Sequence, residues 1–157
     1  MATSTLVQYL APGEAAGTVN RRQVETFLAN GAIAAGDFVS LDVSKTGADK
    51  ALFIVQAPAA AGDGKAIGVA IETATGTAAL PAQVRVVVAG YVASANVATG
   101  SAAGTALTTT GTAGRAASAT YIGNGSGAAA VALPNVIAVA LTTAAANTAE
   151  VMVLKRF

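Results

Sequence analysis

One pattern occurs twice in this chain, and that repetition limits its fold more than any single residue does. Ala66-Ile67-Gly68-Val69-Ala70-Ile71-Glu72-Thr73-Ala74 reads like Val136-Ile137-Ala138-Val139-Ala140-Leu141-Thr142-Thr143-Ala144. A second apolar run follows each copy, Val84-Arg85-Val86-Val87-Val88 and Val151-Met152-Val153-Leu154. A glycine-led opening precedes each, Gly36-Asp37-Phe38-Val39-Ser40-Leu41 and Gly104-Thr105-Ala106-Leu107-Thr108. The offsets are 68 (36 to 104), 70 (67 to 137) and 67 (84 to 151). Landmarks in the same order at nearly constant spacing mark an internal duplication of one small unit. The runs are short, rich in Val and Ile and bounded by Gly, Pro and Asp, so the repeated unit is built of β-strands.

Along the chain, residues 1–19 read as an N-terminal arm, 20–93 as the first β unit and 94–157 as a second unit rich in Thr and Ala. In the arm, Leu6, Val7, Tyr9 and Leu10 form a short strand pattern that Ala11-Pro12-Gly13 breaks. Asn20 to Gly31 is the single helix expectation. Asn20 and Gln23 approximate a capping box, Val24, Phe27 and Leu28 share one helical face, and Asn30-Gly31 suits a left-handed stop. The competing reading is a strand over 23–29 that alternates Val24, Thr26 and Leu28.

From Ile33 the period becomes 2. Val39, Leu41 and Val43 point one way and Ser40, Asp42 and Ser44 the other, as in a half-buried strand. Further strands are expected at 51–56, 67–71 and 83–88, the last running on through Tyr91-Val92. The second copy repeats the plan at 106–109, 115–122, 136–141 and 150–154. Strands this short with frequent turns predict an all-β fold: a small β-barrel or sandwich made of two related copies, with one short helix near the N-terminus. The stretch 94–120 is close to low complexity, and the duplication argues that much of it is the ordered opening of copy two rather than a linker.

Composition narrows the function. A chain of 157 residues folds with roughly 7,000 Å² exposed and about two-thirds of its unfolded surface buried. Apolar residues make up 54% but aromatic ones only 4%, and alanine is about a quarter of the chain. Burial at about 25 cal/mol per Å² then yields little per residue, which points to contacts with other subunits or partners as a source of stability. Charge is sparse and the net charge is +1, with Arg21-Arg22 and Lys155-Arg156 the adjacent cationic pairs, so no phosphate-binding stripe is present and no direct nucleic-acid binding is expected. Apolar stretches are interrupted by Gly, Pro, Thr or charge before reaching a membrane-spanning length, and no signal-peptide pattern opens the chain. The expectation is a soluble product made in the cytoplasm.

The chain has no histidine and no cysteine. That removes imidazole bases, Ser–His and Cys–His nucleophile pairs, thiolate metal sites and disulfides. Asp37, Asp42, Asp49, Asp63, Glu72 and Glu150 are then the acids to weigh, and they read as turn and surface carboxylates, Asp37 bonding its own turn backbone. Spacing supports neither a calcium loop nor a catalytic carboxylate pair. Gly123-Asn124-Gly125-Ser126-Gly127 lacks the Lys and the βαβ context of a phosphate loop. The Thr clusters at 108–112 and 142–143 show no coil register for a saccharide- or ice-binding array and read as solvent-facing strand residues. No enzyme activity, cofactor or metal is expected.

The segment Gly31 to Leu41 carries an Ala-Ile-x-x-Gly-Asp-x-Val opening, Ala32-Ile33-Ala34-Ala35-Gly36-Asp37-Phe38-Val39. With the Ile67-Gly68-Val69-Ala70 strand and the Val-rich run from Val84 to Gly90, it resembles the capsid decoration, or cement, proteins of tailed phages. The resemblance covers roughly Gly31 to Val92, and the second copy more loosely. It implies a small β-barrel or β-tulip body, a homotrimer on the capsid exterior, and the phage major capsid protein as partner. The implied role is a virion protein, made in the host cytoplasm, that stabilises contacts between capsomers. The expected partner-binding elements are the arm (Leu6, Val7, Tyr9, Leu10) and Lys155, Arg156 and Phe157. The alternatives are a phage tail, fibre or other virion structural protein, and, behind it, a saccharide-binding module.

Overall fold

The computed structural model describes residues 22–57, 62–77, 79–119 and 135–154. They form strands β1 (Gln23–Ala29), β2 (Ala32–Ile33), β3 (Phe38–Leu41), β4 (Phe53–Gln56), β5 (Ala66–Ala70), β6 (Ala74–Thr75), β7 (Ala82–Asn96), β8 (Ala106–Thr109), β9 (Ala116–Ser118), β10 (Ala138–Ala140) and β11 (Thr148–Val153). A 3-10 turn, Gly47–Ala51, precedes β4. The fold is all-β, as the sequence pattern predicts.

Strands β1, β4, β3, β5 and the first half of β7 pair in that order, and β7 pairs back with β1 to close a five-stranded barrel. The second half of β7 then starts the same sequence of pairings again with β11, β10, β8 and β9. In the first unit β1 runs parallel to β4, with Ala29 opposite Ile54. In the second, Val97 just after β7 makes a parallel bridge to Ala116 of β9. Ala29 and Val97 lie 68 positions apart, an offset that also separates the two openings.

The duplication extends to individual hydrogen bonds. Ala70 N–H donates to the Asp37 carbonyl at 2.9 Å, and Ala140 N–H to the Thr105 carbonyl at 3.0 Å. Ala35 N–H donates to Thr73 Oγ1 at 3.2 Å, and Ala103 N–H to Thr143 Oγ1 at 3.3 Å. Arg85 N–H donates to Glu72 Oε1 at 2.8 Å, and Glu150 N–H to Thr142 Oγ1 at 3.0 Å. In the third pair the side chain differs, a carboxylate in the first turn and a hydroxyl in the second, while the backbone bond is the same.

The expected helix over Asn20 to Gly31 is not formed. Residues 23–29 are a strand that pairs with seven positions of β7, with one register shift between Gln23 and Val24. A three-turn helix gains little alone, whereas this strand closes the barrel and buries Phe27 and Ala29 against Ile54, Val84 and Val86. Its inward face is Phe27 and Ala29; Val24 and Thr26, expected inside in the strand reading, face out.

Two apolar clusters fill the molecule. Ile33, Val39, Ile54, Ile67, Ala70, Val84, Val86 and Val88 line the first barrel. Phe38, Val69 and Val87 belong to the same strands but point the other way, into a cluster with Val92, Leu107, Ile137 and Val151. One wall of the first barrel is therefore part of the second unit's core. This makes every residue of β5 buried and overturns the expectation that β3 is half-buried: Phe38, Val39 and Ser40 are all inaccessible.

Candidate functional site

The chemistry-bearing side chains gather where the two units meet, on either side of β3. Gly36 and Asp37 turn the chain from β2 into β3, and Asp37 is 3% exposed. Its Oδ2 accepts from Ala34 N–H at 2.9 Å and Gln56 Nε2 at 2.7 Å, and its Oδ1 from Asn96 Nδ2 at 3.2 Å. Arg115 Nε in turn donates to Asn96 Oδ1 at 3.0 Å. The expected bond from Asp37 to its own turn backbone is present, but the carboxylate is a buried hub joining both units rather than a surface group. Backbone completes the junction: Phe38 N–H donates to the Gly114 carbonyl and Gly114 N–H to the Ala57 carbonyl, each at 2.9 Å. A Cβ at 114 would stand 2.7–2.8 Å from Gln56 Nε2 and the Asp37 carboxyl, so this approach needs glycine.

Asp63 organises a second junction. Ser40 Oγ donates to its Oδ2 at 2.5 Å, and Lys65 supplies a backbone N–H at 3.1 Å and an ammonium at 3.0 Å to Oδ1. Asp63 N–H donates to Thr109 Oγ1 of β8 at 2.7 Å. Burial pushes this carboxyl's pKa up, but the Ser40 hydroxyl and the Lys65 groups outweigh it and hold the pKa below the ordinary carboxylate value. Asp42 is held low chiefly by the Ser44 hydroxyl at 2.6 Å, against its desolvation, with Asn30 and the Lys45 charge adding to the effect.

These acids were expected at the surface as solvated groups; Asp37, Asp42 and Asp63 are instead buried and hydrogen-bonded. Each would otherwise carry a large desolvation cost, and this alanine-rich core provides donors for all three. Thr108 and Thr109 are likewise buried rather than solvent-facing, whereas Thr112, Thr142 and Thr143 are exposed as expected. Glu72 does sit at the surface, paired with Arg85 at 2.9 Å, and the guanidinium hydrogen bond lowers its pKa.

Ser40 with Asp63 and Ser44 with Asp42 are the hydroxyl–carboxylate pairs among these contacts, and the first is buried inside its junction. Among the described residues, no group of three or more Asp or Glu is placed to hold a metal ion, and no helix is long and apolar enough to cross a membrane. A shallow cleft of about 240 Å³ opens beside the Gly36 turn, lined by Arg22, Ala35, Ile71, Val92 and Ser94. The exposed apolar side chains include Val43 and Leu52, which flank the 3-10 turn between β3 and β4. Phe53 is half-buried there under the Lys45 ammonium, 4.5 Å from the ring centroid. Leu6, Val7, Tyr9, Leu10, Lys155, Arg156 and Phe157, the expected partner-binding residues, lie outside the described residues.

Sequence reasoning missed the role of Gln56, Asn96 and Arg115 in joining the units. Their signal was faint: three polar residues at the ends of apolar runs, in a chain with few others. Neither a protein-family model nor a curated protein matches this chain closely enough to count as a relative.

Proposed function

We propose that this chain is a structural virion protein that binds the outer surface of a phage capsid and stabilises contacts between capsomers. The observation that carries the reading is the use made of Gly36-Asp37-Phe38-Val39. The residues of the cement-protein resemblance are those that turn the chain into a closed five-stranded barrel and lock it to its copy. The rest of the molecule suits passive binding. Asp37, Asp42 and Asp63 are spent on internal hydrogen bonds, the chain's charge is low, and exposed Val43 and Leu52 offer apolar contact beside Lys45 and Lys50. Many symmetric copies on one shell multiply a modest affinity by avidity. In this reading the chain is a homotrimer, its partner is the major capsid protein, and the contacts come from the arm (Leu6, Val7, Tyr9, Leu10) and from Lys155, Arg156 and Phe157.

The test is light scattering of the purified protein, then pelleting with empty expanded capsids. A compact trimer that sediments at a fixed ratio to the major capsid protein is the expected result. A monomer that stays in the supernatant overturns the reading. An elongated trimer that pellets with tails instead would move the chain to the tail or fibre.

A further inference from the structure

The Asn30-Gly31 corner lies at the end of β1 in the first barrel. Asn30 and Gly31 are the two-residue link between β1 and β2, and both are half-buried. Three further elements converge there. Asn30 N–H donates to the Ile54 carbonyl of β4 at 2.9 Å, and Gly76 N–H, just after β6, donates to the Gly31 carbonyl at 3.0 Å. The Asn30 side chain reaches past the end of β3, where Nδ2 donates to Asp42 Oδ2 at 2.6 Å. Nothing lies within 4 Å of the position a Gly31 Cβ would take. The second unit has Ala98-Thr99 at the matching offset of 68, so this corner belongs to the first copy alone.

An Asn followed by Gly is the pair most open to intramolecular attack, because no side chain shields the following amide. We propose that Asn30 is a self-modification site whose deamidation loosens this corner of the barrel. The Gly31 backbone nitrogen attacks Asn30 Cγ and forms the N–Cγ bond of a succinimide. The Cγ–Nδ2 bond breaks, and Nδ2 leaves as ammonia with the proton lost from the Gly31 amide. Water then opens the ring at one carbonyl or the other, giving aspartate or isoaspartate. No oxidant, reductant or metal enters. Gly31 puts no side chain beside the attacking nitrogen, and the bond to Asp42 is a restraint that the reaction must release.

The product reverses the local electrostatics. Where an amide donated to Asp42, a carboxylate now faces a carboxylate across hydrogen-bonding distance, and like charges this close repel. Opening to isoaspartate also adds a backbone atom between Asn30 N, bonded to β4, and the Gly31 carbonyl, bonded to Gly76. The proposal is independent of what the protein binds.

The experiment ages the full-length folded protein at mildly alkaline pH and maps its peptides by mass spectrometry, scoring aspartate and isoaspartate at position 30. A synthetic peptide spanning 26–35 is the unstructured reference. Mapping separates this position from the other Asn-Gly pair, Asn124-Gly125. The expected result is modification at 30 in the folded chain at no less than about a tenth of the peptide rate, and none in N30Q. Asn30 remaining intact while the peptide is consumed overturns the proposal. The second measurement is the melting temperature of N30D against N30Q. A fall of several degrees in N30D beyond that in N30Q is expected; equal melting temperatures overturn the loosening.

Discussion

Gly36 and Gly104 hold the same turn in the two units. Gly36 N–H donates to the Ala70 carbonyl and Gly104 N–H to the Ala140 carbonyl, both at 2.8 Å, with φ of +91° and +80°. Their surroundings differ. A Cβ on Gly36 would sit 3.1 Å from the Ser94 carbonyl oxygen, whereas one on Gly104 would meet nothing within 4 Å. An L side chain at positive φ costs on the order of 1–2 kcal/mol in backbone strain alone. G104A should therefore lower the unfolding free energy by about 1 kcal/mol, and G36A by about 2–3 kcal/mol because contact adds to strain. Urea titration of the two variants measures the gap; equal losses would show that strain alone sets the cost.

Thr108 carries a buried hydroxyl with no hydrogen-bond partner. Its counterpart at the offset of 68 is Ser40, whose hydroxyl donates to Asp63. Replacing Thr108 by Val keeps the shape and removes the desolvated oxygen, so T108V should stabilise the fold by about 1 kcal/mol. For a chain of this size that is a rise of about 2–4 °C in melting temperature, readable by calorimetry. A fall would mean that the hydroxyl has a partner in solution.

At the Asp37 hub the opposite substitution logic applies. D37A deprives Gln56 Nε2, Asn96 Nδ2 and Ala34 N–H of a shared acceptor. These bonds are part-buried, so water meets some of the loss, and at about 1 kcal/mol for each bond a total loss of about 3 kcal/mol is expected. R115A removes a donor that reaches the hub only through Asn96, and should cost about 1 kcal/mol. Denaturant unfolding of both variants checks the order; a larger loss in R115A would place the anchor of the junction on the arginine.

How far the sequence foretold this molecule depends on which interactions decide each element. Strands β3, β5 and the first half of β7 are legible because Val39, Ile67 and Val84 to Val88 sit in runs that favour a strand in almost any context. The repeat was visible for the same reason. Strand β1 was misread because Val24, Phe27 and Leu28 satisfy a helical face as well as Phe27 and Ala29 satisfy a strand; pairing with β7, distant in sequence, settles the matter. The continuity of β7 through Asn96 was only partly visible, and the sharing of one strand by two units was not. No local pattern shows that Phe38 and Val69 face a second core. The junction acids were misread because burial of Asp37 and Asp63 depends on donors up to 59 residues away in sequence, which no spacing rule reveals.

Those same acids set the response to pH. Asp42 and Asp63 both have folded-state pKa values below the ordinary carboxylate value. In Asp42 the cause is chiefly the Ser44 hydroxyl; in Asp63 the Ser40 hydroxyl and the Lys65 groups outweigh its burial. A carboxyl with a lower pKa in the folded chain binds fewer protons there than when unfolded. Its contribution is complete above the unfolded value, about 4, and is lost as the pH falls through the folded value. The melting temperature should thus be flat with respect to these groups above about pH 5 and decline steadily below about pH 4. S40A separates the causes: it removes one of the groups that together outweigh burial while leaving Lys65 in place, so it should raise the pKa of Asp63 toward its unfolded value and make the acid decline shallower. Melting curves of the wild type and S40A across the acid range check both statements. An acid limb that is the same in S40A would assign the decline to other carboxylates.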